Sequence, residues 1–178
     1  MLTLCCTQKI RDRLKLAADL PPPAPATTAL GNWYVNLVRY GRHQVILATS
    51  ERSLLTLIFP AKELRESLEF NIQIGLRVLL TALDVPHATV DREIAEMQFF
   101  VYGKASNRSV LGSMNEFAFM LGHYMQSTSD PLALALRLAD TPMRALRGVG
   151  KWKDFGVPND VAVELLRGRQ SSPPDAHG

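Results

Sequence analysis

The run from Trp33 to Phe59 constrains this chain more than any other stretch. Trp33–Tyr40 is rich in aromatic and β-branched residues, Gly41-Arg42 breaks it, and Val45–Thr49 resumes it. Residues of these types fit a pleated, half-buried surface, and a short Gly-containing break between two such runs reads as a β-hairpin. Side chains alternate along a strand, so Trp33, Val35 and Leu37 share one face while Tyr34, Asn36, Val38 and Tyr40 share the other. Ser50-Glu51-Arg52-Ser53 is a polar turn. Leu54–Phe59 is a continuous apolar run stopped by Pro60, the pattern of a more central third strand. An apolar sheet of this kind needs elements to cover it.

The segments on either side supply them. Residues 62–83 place Leu64, Leu68, Ile72, Leu76, Leu79 and Leu83 on one helical face, with Gly75 as a weak point, and Pro86 marks a stop. Thr89 is the expected cap of a second helix over 89–98. Asp91 and Glu93 fall in its first turn, and its apolar stripe is Val90, Ile94, Met97 and Val101. Phe99-Phe100-Val101-Tyr102 also reads as a strand, over about 99–105, which leaves that boundary open. At the N-terminus, residues 2–6 read as a short strand and Thr7 as the cap of a helix over 8–17. Ile10, Leu14 and Ala17 point inward and a basic outer face reads as solvated surface. Pro21-Pro22-Pro23 and Pro25 end that helix and impose an extended spacer through about Thr28.

Asn107-Arg108-Ser109-Val110-Leu111-Gly112-Ser113-Met114-Asn115 is polar and runs into an amphipathic segment with Phe117, Met120, Leu121 and Tyr124 in helical spacing. Ser113 and Glu116 have the spacing of a capping box, which predicts a helix over 115–126 with Arg108, Ser109 and Gly112 in the loop before it. A helix start beside an arginine is a candidate anion site, with Asn36, Tyr34 and Glu51 as further candidate ligand residues and Glu51 as a candidate partner of Arg108. The stretch lacks the second Gly followed by Lys and Ser or Thr of a P-loop.

The remaining chemistry is sparse. His43, His87, His123 and His177 have no metal-binding spacing, Cys5 and Cys6 are adjacent and are the two cysteines of the chain, and no G-x-S-x-G is present. The expectation is therefore no metal and no cofactor. No apolar run has membrane-spanning length and Met1–Cys6 is too short for a signal core, so the expected location is cytoplasmic. The net charge of +3 over 178 residues permits nucleic acid or another acidic partner without requiring one.

Leu30-Gly31-Asn32-Trp33-Tyr34-Val35-Asn36, Ser50-Glu51-Arg52-Ser53-Leu54 and Asn107–Asn115, with Cys6-Thr7-Gln8-Lys9 at the start, resemble a widespread family of uncharacterised bacterial and archaeal domains. Its hallmarks are an L-G-x-W-Y-x-N segment and an N-R-S-V-L-G-S-M-N segment. The resemblance spans about residues 1–126 and implies a domain identity and a shared surface at these motifs, but no activity. Family members often carry Lys-Thr before Asn-Arg-Ser, where this chain has Lys104-Ala105-Ser106.

The expected fold is α+β: a small, mostly antiparallel sheet (about 2–6, 33–40, 44–49 and 54–59, with 99–105 as a further strand) packed against helices at 62–83, 89–98 and 115–126. A single domain over 1–126 is followed by a helical extension over 127–168, with short helices at 132–139 and 160–167, and by a disordered tail over 169–178. The leading functional expectation is a non-enzymatic binding module for an anionic ligand or nucleic acid. It would use Arg108, Ser109, Gly112, Ser113, Asn115, Asn36, Tyr34 and Glu51. The alternatives are a small hydrolase or transferase acting on a phosphate-bearing substrate, with Glu51 or His123 as base, and a structural or oligomer-forming domain with a protein partner.

Overall fold

In the computed structural model, which describes residues 1–65, 67–147 and 154–169, five strands form one sheet. They are β1 (Leu2–Cys6), β2 (Trp33–Tyr40), β3 (His43–Ser50), β4 (Thr56–Pro60) and β5 (Phe100–Lys104). Their spatial order is β4-β3-β2-β1-β5. β2, β3 and β4 form an antiparallel meander built on the expected hairpin, with Trp33 opposite Ser50 and Val45 opposite Pro60. The third strand, expected to be more central, lies at the sheet edge, and its apolar run is covered by helices instead of by a further strand. β1 lies parallel to both β2 and β5, so the sheet is mixed. The parallel β1–β2 pair needs a long crossover, which residues 7–32 provide, and residues 61–99 carry the chain from β4 at one edge to β5 at the other.

Both faces of this sheet are covered, which is why Trp33 and its neighbour Tyr34 are 0% and 1% exposed although they point to opposite sides. On the Tyr34 side lies α4 (Arg108–Tyr124), where the Tyr40 hydroxyl donates to the Ala118 carbonyl. On the Trp33 side lies α2 (Leu68–Ala82). Gly75 of α2 faces Leu57, and Glu69 accepts a 2.6 Å hydrogen bond from the Tyr102 hydroxyl. α1 (Gln8–Leu14) and α3 (His87–Glu96) complete the domain, and α5 (Pro131–Ala139) packs along the edge strand β4. α6 (Pro158–Gly168) packs against α3 and α5. Leu134 and Leu138 of α5 and Val161 and Ala162 of α6 join Leu2, Ile46, Ile72 and Phe117 in one apolar cluster. Among the described residues, no helix is long and apolar enough to cross a membrane.

Several boundaries differ from the sequence reading for identifiable reasons. The helix expected over 62–83 is split into a 3-10 turn, Ala61–Arg65, and α2, because the Ser67 side chain accepts from Phe70 N at 3.2 Å and restarts the helix. α3 begins before Thr89: the Pro86 carbonyl already accepts from Thr89 N and Val90 N, which leaves Thr89 inside the first turn. α1 stops at Leu14, where Lys15 takes a left-handed conformation. α6 starts at Pro158, two residues ahead of the expected 160, because proline's fixed φ suits a first helical turn. β4 starts two residues late because Leu54 has φ +58° in the turn. Phe100–Lys104 is the strand of the two readings. The expected tail lies, apart from Arg169, outside the described residues.

Candidate functional site

The capping-box reading of Ser113 does not hold. Asn107 is the cap: its side-chain oxygen accepts from Ser109 N at 3.0 Å and Val110 N at 3.3 Å, and α4 runs from Arg108. An Asn side chain can do this as well as a Ser, and it stands six residues earlier. Ser113 is therefore buried inside the helix, where its hydroxyl donates to the Ser109 carbonyl at 3.1 Å. Gly112 is a helix-interior residue with open space beside it. The stretch expected to be a loop is the first two turns of α4. Arg108, Ser109, Gly112 and Asn115 are exposed along it, while Val110, Ser113 and Met114 face inward. The cap also occupies two of the backbone N–H groups that an anion site at this helix start requires.

Tyr34 ties this helix start to the sheet. The Tyr34 phenol lies beside the Asn107 backbone N–H and the Cys5 thiol. Burial first, then the charges of Cys5 and Glu51, push the Tyr34 phenol well above its ordinary range. Burial likewise pushes the Cys5 and Cys6 thiols up to about 12, so neither is a ready nucleophile at neutral pH. Asn36 accepts a 3.0 Å hydrogen bond from the Thr7 hydroxyl, which thus anchors α1 to β2. Glu51 accepts from Asn32 N at 3.4 Å and does not pair with Arg108; among the described residues the ion pair is Arg77–Asp91.

The L-G-x-W-Y-x-N segment has its own polar logic. Gly31 has φ +81°, and a Cβ there would lie 2.9 Å from Arg52 Cγ. Asn32, 3% exposed, accepts from Thr3 N at 2.9 Å and donates to the Ala24 carbonyl at 2.8 Å, joining β1 to the proline spacer. Glu93, also 3% exposed, accepts from Ala29 N at 2.9 Å and Leu30 N at 3.0 Å. Sequence reasoning missed both. In the sequence Glu93 stood only as a first-turn acid of the helix expected over 89–98.

The exposed start of α4 faces an open cleft of about 780 Å³. Among the described residues it is lined by Ser109, Arg144, Ala145, Arg147, Asp154 and Phe155. Arg144 opens a second 3-10 turn, Arg144–Leu146, held by the Met143–Gly156 bridge. Ser109 is the candidate residue that lines this cleft; Tyr34, Asn36, Glu51 and His123 do not, and His123 instead meets Phe119 edge to face at 5.5 Å. Arg144, Arg147 and Asp154 were missed because residues 140–159 carry no period that would place them beside α4.

Compared with known proteins, residues 3–161 match the family model of a domain of unknown function, DUF6933. The chain belongs to this family. The match runs past residue 126, so Arg144, Arg147 and Asp154 lie within the DUF6933 span. Neither a curated protein nor a solved structure matches the chain.

Proposed function

We propose that this DUF6933 chain is a cytoplasmic binding module for an anionic ligand, which it holds in the cleft between the start of α4 and the turn at residues 144–147. The observation that carries the reading is the meeting of Ser109, from the N-R-S-V-L-G-S-M-N segment, with Arg144 and Arg147 around one open polar cleft. Asn107 already satisfies two N–H groups of the helix start, so the arginine side chains supply the attraction and the Ser109 hydroxyl a hydrogen bond. Arg108, exposed one residue before Ser109, adds positive potential nearby. On this reading the helical extension after residue 126 completes the site of the domain before it. The two buried free thiols suit a reducing compartment.

A hydrolase or transferase is less well supported, since neither Glu51 nor His123 lines the cleft. The test uses the full chain with pyrophosphate and with short single-stranded RNA, at low and moderate salt. Replacing both Arg144 and Arg147 with Ala should weaken binding at least about tenfold and flatten its salt dependence. Arg108→Ala alone should have a smaller effect. Unchanged binding by the folded double variant would remove the cleft from consideration. Binding of RNA without pyrophosphate would direct the reading to nucleic acid.

A further inference from the structure

The cleft is not purely cationic, and this narrows its ligand. Asp154 lines it together with Arg144, Arg147 and the Ser109 hydroxyl. Among the described residues the ion pair is Arg77–Asp91, so Asp154 shares the cleft with Arg144 and Arg147 without forming an ion pair with either. A carboxylate beside a site for a bare inorganic anion opposes it, because like charges repel most strongly where solvent is partly displaced. It becomes favourable when the ligand brings hydrogen-bond donors as well as negative charge, since an ionised carboxylate only accepts. The size agrees. A cleft of about 780 Å³ lies within the range of small-molecule sites, and an inorganic phosphate would leave most of it to water.

Building on the anion-binding reading above, we infer that the cleft takes a phosphate ester of a hydroxyl-bearing carrier, a sugar phosphate or a nucleotide. Arg144 and Arg147 hold the phosphate and Asp154 accepts from the carrier's hydroxyls. Guanidinium groups match phosphate oxygens in paired hydrogen bonds. The Ser109 hydroxyl, at the mouth of α4, donates to the phosphate.

The test is calorimetric titration of the full chain with inorganic phosphate, ribose, ribose 5-phosphate and AMP. The inference predicts that ribose 5-phosphate binds at least tenfold more tightly than inorganic phosphate. Asp154→Ala, which removes both the acceptor and the opposing charge, should erase that advantage and tighten inorganic phosphate, and the double variant with Arg144→Ala and Arg147→Ala should lose both. AMP tighter than ribose 5-phosphate marks the carrier as a nucleotide; equal affinity marks it as a sugar. Inorganic phosphate binding as tightly as its esters overturns the inference and leaves the anion reading standing. No binding of any phosphate probe overturns both. The comparison among ligands needs no variant, so it stands even if a substitution disturbs folding.

Discussion

At the scale of single residues, Glu93 shows how the molecule uses a buried charge. Its carboxylate is out of water and accepts from two successive backbone N–H groups, Ala29 and Leu30. Burial raises its pKa above the ordinary 4.5, while the two N–H groups and the charge of Arg169 pull it down and Glu96 pushes it up. A carboxyl raised in the folded state contributes stability below its unfolded value and loses that contribution as pH rises through the folded one. Relative to Glu93→Gln, which keeps an acceptor oxygen without the charge, the native chain should therefore gain stability as pH falls from 7 toward 5. Urea unfolding at the two pH values measures this, and a difference that shrinks on acidification contradicts it. Glu93→Ala strands two buried donors and should cost roughly 2–4 kcal/mol at either pH. None of this was legible in the sequence, where Glu93 stood as a first-turn acid of a helix expected to begin at Thr89. Its role depends on a loop more than sixty residues away.

At the scale of elements, α4 separates two readings of one motif. If the stretch before Ser113 were a loop that needed Gly112, alanine there would be strained. In the structure Gly112 is helical with open space beside its Cα, so Gly112→Ala should stabilise the protein by about 0.5–1 kcal/mol. Asn107→Ala should cost about 1 kcal/mol by removing the cap on Ser109 and Val110. Thermal or urea unfolding of the two variants decides the matter. A destabilising Gly112→Ala with a neutral Asn107→Ala would move the helix start back to Ser113. The amphipathic part of α4 was legible because Phe117 and Leu121 repeat with the helix period. The start was not, since Asn107 and Ser113 both have side chains that can cap, and spacing alone does not rank them. The hairpin at residues 33–49 was legible for the opposite reason: its strand pattern and its turn agree.

At the scale of the whole molecule, the α+β class followed from a strand-rich segment flanked by helical ones. The parallel placement of β1 between β2 and β5 did not, because a crossover leaves no local mark on the strands it joins. The candidate site shares this property. Ser109 was named from its motif, but Arg144 and Arg147 reach it only through the packing of the segment after α5. The most direct measurement is therefore one that reads position. Backbone amide chemical shifts of the full chain, titrated with pyrophosphate at low salt, should move most at Ser109, Arg144 and Arg147 and leave Glu51 and His123 in place. Shifts that cluster away from the start of α4, or none as pyrophosphate saturates, would contradict the anion-binding cleft.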